Sequence, residues 1–209
     1  MQKNMSWGIG IIVAVLALGW IYAHRISVTG SVTSTTPITV TDPSMLQGMQ
    51  TGDAPWTSGV DGVSARLAAD SLPQLTTEGE VLHIHQHIDI YVNGHPVPVP
   101  ADIGVSSQWI SPIHVHDTSG VIHIESPYMA SFTLGEFFDV WGVRLTSTAL
   151  GGYTTDATHT LKVYVNGQLS EGDPRLLTLV AHQEIVVVYG TDAQAPQTIP
   201  TTYNFPLGE

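Results

Sequence analysis

From Val81 onward the chain alternates between apolar and polar residues. Leu82, Ile84, Ile88, Ile90 and Val92 fall on one face of a predicted strand, and His83, His85, His87, Asp89 and Tyr91 on the other. Asn93-Gly94, the strongest two-residue hairpin signal, then returns the chain through His95 to Pro100. Counting outward from that turn sets Ile90 opposite Val97 and Ile88 opposite Val99. Tyr91, Asp89 and His87 then oppose Pro96, Pro98 and Pro100. Alternate prolines cannot donate to a further ladder, so the returning strand is expected at an edge.

The pattern recurs at IHVHDTSGVIHIE, positions 113 to 125. A turn across Asp117 to Gly120 brings His116 to face Val121 and His114 to face His123. His114, His116 and His123 then share one face with Glu125, while Ile113, Val115, Ile122 and Ile124 take the other. In SFTLGEFFDVWGVRL the period changes. Thr133 and Glu136 form a capping box, and Leu134, Phe137, Phe138 and Trp141 make an apolar helical stripe, read as core packing. A Gly, Thr and Ser-rich loop from Thr146 to Thr160 leads to two more strands, LKVYVNGQ and EIVVVYG. Two hairpins, one helix and two strands predict an α+β domain of β-grasp type over 81–190, with a mixed sheet over one main helix. A small β-sandwich or a cupin-like barrel is the rival.

Outside that domain the texture differs. No charged residue interrupts Asn4 to Ala23, and such a run as a helix spans roughly 30 Å, the thickness of a hydrocarbon core. Trp7, Trp20 and Tyr22 lie near its ends, where amphipathic rings favour the membrane interface. Residues 1–25 are therefore expected to form a single-pass transmembrane anchor in the cell membrane, a cleaved signal peptide being the rival reading. Either places the main domain on the periplasmic or extracellular side. Residues 26–80, rich in Ser, Thr, Gly and Pro, are expected to form a stalk, with a short helical turn over Ser64 to Asp70 and Trp56 docking it onto the body. The tail 191–209 is again Pro and Thr-rich.

Charge and composition narrow the function. Of 209 residues, eighteen are Asp or Glu and six Lys or Arg, a formal charge of -12 that repels nucleic acid. Cysteine is absent, so thiolate metal sites and disulfides are excluded. No Gly-x-Ser-x-Gly elbow, P-loop or dinucleotide fingerprint appears, so an enzyme is not the leading expectation, and a metal-dependent one, the third reading, would need an open coordination position beside a pocket.

The remaining chemistry lies in histidine. Seven of the ten histidines lie between positions 83 and 123. Neutral imidazole is the commonest protein ligand for transition metals, and histidines at i and i+2 on a strand point the same way. His83 and His87 are about 13 Å apart along a regular strand at ~3.3 Å per residue, too far to share one ion. The expected shell therefore takes His85 and His87 with His114 and His116, and His83 with His123 forms a second site or completes the first. Asp89, Asp117 and Glu125 are placed as acceptors for the far ring nitrogens. Without thiolates, a zinc or copper ion fits this donor set better than iron or manganese. His24, His95, His159 and His182 carry no partner pattern and are read as ordinary surface residues. Met45 and Met49, soft enough for copper, are read as incidental.

The succession HIHQHIDIYVNG, IHVHDTSGVIHIESP, FTLGEFFDVWGV and EIVVVYG resembles an uncharacterised family of histidine-rich extracytoplasmic domains of bacteria and archaea, often preceded by a signal or anchor. The likeness runs from about 81 to 190. It implies no established activity, but that His83, His85, His87, His114, His116, Asp117, His123 and Glu125 occupy the positions defining the family pattern. The leading expectation is a membrane-anchored metal-binding domain. The alternative is an accessory subunit of a larger membrane complex, braced against integral membrane subunits by its helix and stalk, with structural histidines.

Overall fold

Both central residues of the Asn93-Gly94 turn have positive φ, 51° and 84°, the type I′ geometry that matches strand twist. In the computed structural model, which describes residues 42–206, this turn joins strand β1 (Leu82–Val92) to β2 (His95–Val97). The elements around it are helix α1 (Val63–Ala69) before, and β3 (Ile103–Val105), β4 (Ile110–Val115), β5 (Val121–Ser126) and helix α2 (Leu134–Trp141) after. Then follow the short strands β6 (Leu145–Thr146), β7 (Ala149–Leu150) and β8 (Tyr153–Thr154), and finally β9 (Thr160–Val165), β10 (Gln168–Ser170) and β11 (Glu184–Gly190). The fold is α+β, with one main helix and one large mixed sheet. The strand order is β10-β9-β11-β1-β5-β4-β3, with β2 beside β1, and β6-β7-β8 form a small separate sheet inside the expected 146–160 loop.

The first hairpin holds the predicted register only near its turn: Ile90 pairs Val97 and Tyr91 pairs Pro96. The expected extension, Ile88 against Val99 and His87 against Pro100, does not form. Strand β2 ends at Val97, and β5 takes the rest of that edge, pairing Leu82 to His87 with Ser126 to Val121. Pro98 and Pro100 give no N–H to hold a longer ladder, whereas β5 offers a full one. On the other side β11 runs parallel to β1 from His87 to Val92. One strand therefore changes neighbours at His87, and its polar face meets two different chemistries.

Apolar alternation sets the core. Ile88 and Ile90 of β1, Ile113 and Val115 of β4, Ile122 and Ile124 of β5 and Val187 of β11 are buried against Leu134, Phe137, Phe138 and Trp141 of α2. Truncating a fully buried aromatic such as Trp141 to Ala costs about 3–5 kcal/mol. The predicted box caps α2: Thr133 N–H donates to Glu136 Oε2 at 2.7 Å, and Glu136 N–H to Thr133 Oγ1 at 3.3 Å. Gly142, at φ 75°, ends it, and a Cβ there would meet the Arg66 guanidinium at 2.7 Å.

Residues 42–80, expected as a stalk, are instead part of the body. Trp56, Leu67 and Leu72 enter the core, with Trp56 edge-on to Trp141 at 5.8 Å. Arg66 is fully buried and donates to the carbonyls of Asp139 at 2.6 Å and Val140 at 3.2 Å at the end of α2, where Gly142 N–H also reaches Asp139. It also donates to the carbonyls of Gln47, Gly59 and Asp61, tying 47–61 to the helix end. Apolar residues this sparse show no period, so the composition alone read as a linker. The expected turn over 64–70 is present as α1. Among the described residues no helix is long and apolar enough to cross a membrane, and the predicted span 4–23 lies outside them.

Candidate metal centre

Because β5 lies between β1 and β4, histidines from three strands come level. His85 pairs with His123 across β1 and β5, His123 with His114 across β5 and β4, and His83 with Glu125. Ring centroids lie 4.5 Å apart for His85 and His123, 5.3 Å for His114 and His123, 4.6 Å for His116 and His123 and 4.9 Å for His83 and His85. Strand β5 is covered along its whole length, so His123 and Glu125 are buried, as are His85 and His114, while His83 and His116 reach solvent.

Glu125 sits among these rings. Its Oε1 lies 3.2 Å from His123 Nδ1, 3.3 Å from His83 Nε2 and 3.9 Å from His85 Nε2, and its Oε2 lies 3.9 Å from His114 Nε2. That Oε2 is buried with no hydrogen-bond partner among the described residues. A carboxylate oxygen in such a place ordinarily costs several kcal/mol unless a cation or donor meets it. His114 is aimed at the same space. Its Nδ1–H donates to the Ser111 carbonyl at 2.9 Å, which leaves the lone pair on Nε2, 3.1 Å from His116 Nε2. Glu78 Oε1 adds a further acceptor 3.4 Å from His116 Nε2.

The electrostatics favour ligands that need no deprotonation. Burial, reinforced by His123 and His83, holds His85 down to about 4. Burial also holds His114 down to about 3, against the pull of Glu125. Burial alone would raise Glu125, but the His123 hydrogen bond and the surrounding rings bring it down to about 2. At neutral pH His85 and His114 thus offer uncharged rings beside an anionic Glu125. Around a zinc ion with bonds of about 2.0–2.1 Å, tetrahedral donors lie ~3.3 Å apart. The observed 3.1, 3.2 and 3.3 Å separations match that edge.

His87 does not join this cluster. Its Nδ1 lies 2.9 Å from Glu184 Oε2 and its Nε2 2.9 Å from the Ser119 carbonyl. Both neighbours accept, so the ring donates from both nitrogens as an imidazolium. Burial opposes that charge, but the Glu184 hydrogen bond and carboxylate outweigh it and raise its pKa. Tyr203, from the expected tail, stacks flat on it at 3.8 Å. The expected shell of His85, His87, His114 and His116 is therefore not the one assembled. His123 stands where His87 was placed, and His83 lies beside Glu125. With Nδ1 deprotonated, His87, Asp89 and Glu184 would make a separate cation-capable group, their donor atoms within 4.8 Å of one another.

The carboxylates also sort differently. Glu125, placed as an outer acceptor, is central. Asp89 lies with His87 and Glu184. Asp117 serves its own turn, Oδ1 accepting from Ser119 N–H at 2.8 Å, which lowers its pKa. Glu184, Glu78, Ser111 and Tyr203 were missed. An acid opening the otherwise apolar EIVVVYG was the one available signal for Glu184, and nothing local marks the other three. His159 is paired with Asp156, and Met45 is exposed, so neither belongs to the site. No protein-family description, curated protein or solved structure matches this chain.

Proposed function

We propose that this protein is a membrane-anchored, extracytoplasmic metal-binding domain that holds zinc or copper at the Glu125 cluster through histidines of β1, β4 and β5. The observation that carries the reading is Glu125 Oε2, buried and without a donor, 3.9 Å from His114 Nε2, whose lone pair the Ser111 bond leaves free. A dication supplies the missing partner, and an all-imidazole and carboxylate shell suits Zn(II) or Cu(II). The β-grasp reading of the fold is supported by the parallel central pair β1 and β11, flanked by the hairpins β1–β2 and β9–β10 with α2 between them in sequence. The alternative, an accessory subunit, needs a partner to hold the segment before residue 80. Residues 42–80 find theirs in α2 and the core.

Elemental analysis of the full chain, gently purified in detergent, tests the metal reading. Near-stoichiometric zinc or copper is expected. An empty protein that takes up neither ion on titration sinks it. Intact mass of the mature protein tests the anchor, with retention of residues 4–23 expected and an N-terminus at His24 counting against it.

A further inference from the structure

The cluster holds more donors than one ion can use. Within 4.8 Å of one another lie single donor atoms of His114, His116, His123 and Glu125, and a second such group comprises His83, His85 and Glu125. Glu125 is the one residue common to both. With bonds of about 2.1 Å, a single ion spans donors no more than ~4.2 Å apart, so it cannot gather five imidazoles spread over three adjacent strands. The two oxygens of Glu125 reach toward both groups. Oε1 faces His83 at 3.3 Å and His85 at 3.9 Å and lies 3.2 Å from His123 Nδ1, while Oε2 faces His114 at 3.9 Å, whose Nε2 is 3.1 Å from that of His116.

Resting on the metal-binding reading, we propose that the site is dinuclear, with Glu125 as the carboxylate bridge between two transition-metal ions. One ion is held by His83 and His85, and the other by His114, His116 and His123. Each set contains one solvent-reaching imidazole, His83 at 49% and His116 at 41% side-chain exposure, so each ion has its own route of exchange. A carboxylate bridging two such ions sets them about 3.5–4 Å apart, the spacing of two-metal centres. Glu78, beside His116, is placed to offset part of the added charge on the second ion.

The bridge makes a prediction that a single site does not. The full chain, stripped with a chelator and titrated with Cu(II) against a weak competing ligand, takes up two equivalents. The paramagnetic resonance signal of an isolated Cu(II), present at one equivalent, is replaced at two by that of a coupled pair. His83→Ala with His85→Ala, and separately His114→Ala with His116→Ala, each retain one equivalent and lose the coupling. Glu125→Gln uncouples whatever copper remains. One equivalent at saturation, or two with no coupling, overturns the bridged centre while leaving metal binding standing. Zero uptake overturns both. The stoichiometry and spectrum of the unmutated chain decide the matter even if a variant fails to fold.

Discussion

His85 and His87 stand two residues apart on the same face of one strand, and the fold drives them in opposite directions. His85 lies beside β5, among other imidazoles, and burial holds it neutral at about 4. His87 lies beside β11, against Glu184, and is held charged. The strand's own sequence treats the two alike. What separates them is the point at which β1 passes from one neighbour to the next, so the chemistry of each ring belongs to the strand across from it. One end of β1 lies in a cluster that could hold a metal ion, and the other is paired with a buried carboxylate.

That contrast is open to direct attack. The largest effect is expected from His87→Ala, which leaves Glu184 buried and unpaired and should cost about 3–5 kcal/mol in urea unfolding of the metal-free protein. Its metal uptake should be unchanged, and a loss of uptake would merge the two ends of the strand into one site.

Metal itself should stabilise the other end. Binding to the native state adds RT ln(1 + [L]/Kd), about 4 kcal/mol at a thousandfold excess over Kd. The rise in melting temperature on adding metal should vanish in a His85→Ala, His116→Ala double variant and on chelation, but persist in His159→Ala. A double variant that still responds to metal would show that the ion binds elsewhere than at this cluster.

Acid should separate the two histidines by sign. His85 and His114 have folded pKa values below the ordinary 6.5, so their contribution is present above that pH and is lost as pH falls toward about 4 and 3. Between pH 7.5 and 5 the metal-free protein should lose roughly 2 kcal/mol per such group. His87 acts oppositely, since its raised folded value gives stability that is full below 6.5 and lost as pH rises through that value. The acid loss should therefore be steeper in His87→Gln than in the unmutated protein. An equal or shallower loss would show that the His87–Glu184 pair is not charged. The smallest expected effect is that of Tyr203→Ala, which removes the ring stacked on His87 and should cost about 1 kcal/mol, read from the same unfolding curves, with no change in metal content.

Much of this architecture was legible before folding, and the legible part has a common character. The alternation of β1, β4 and β5, the Asn93-Gly94 turn, the His114–His123 pairing and the Thr133–Glu136 cap all express relations within a few residues or across one tight turn. In 42–80 the docking of Trp56 and the turn at α1 were legible, but the burial of the rest was not, because Val63, Leu67 and Leu72 are too sparse for any period and Arg66 finds two of its acceptors more than seventy residues away.

The amino-acid sequence by itself determined that two hairpins would each present histidines on one face and apolar residues on the other, because a strand's period of two needs no partner to express it. Which imidazoles would share Glu125, and which would be claimed by a carboxylate 97 residues away, was decided only in three dimensions. Order and register between strands distant in sequence are set by how all their apolar faces are buried together against α2. No local spacing carries that information. The metal-capable cluster exists because that burial laid β5 along the first half of β1 and β11 along the second.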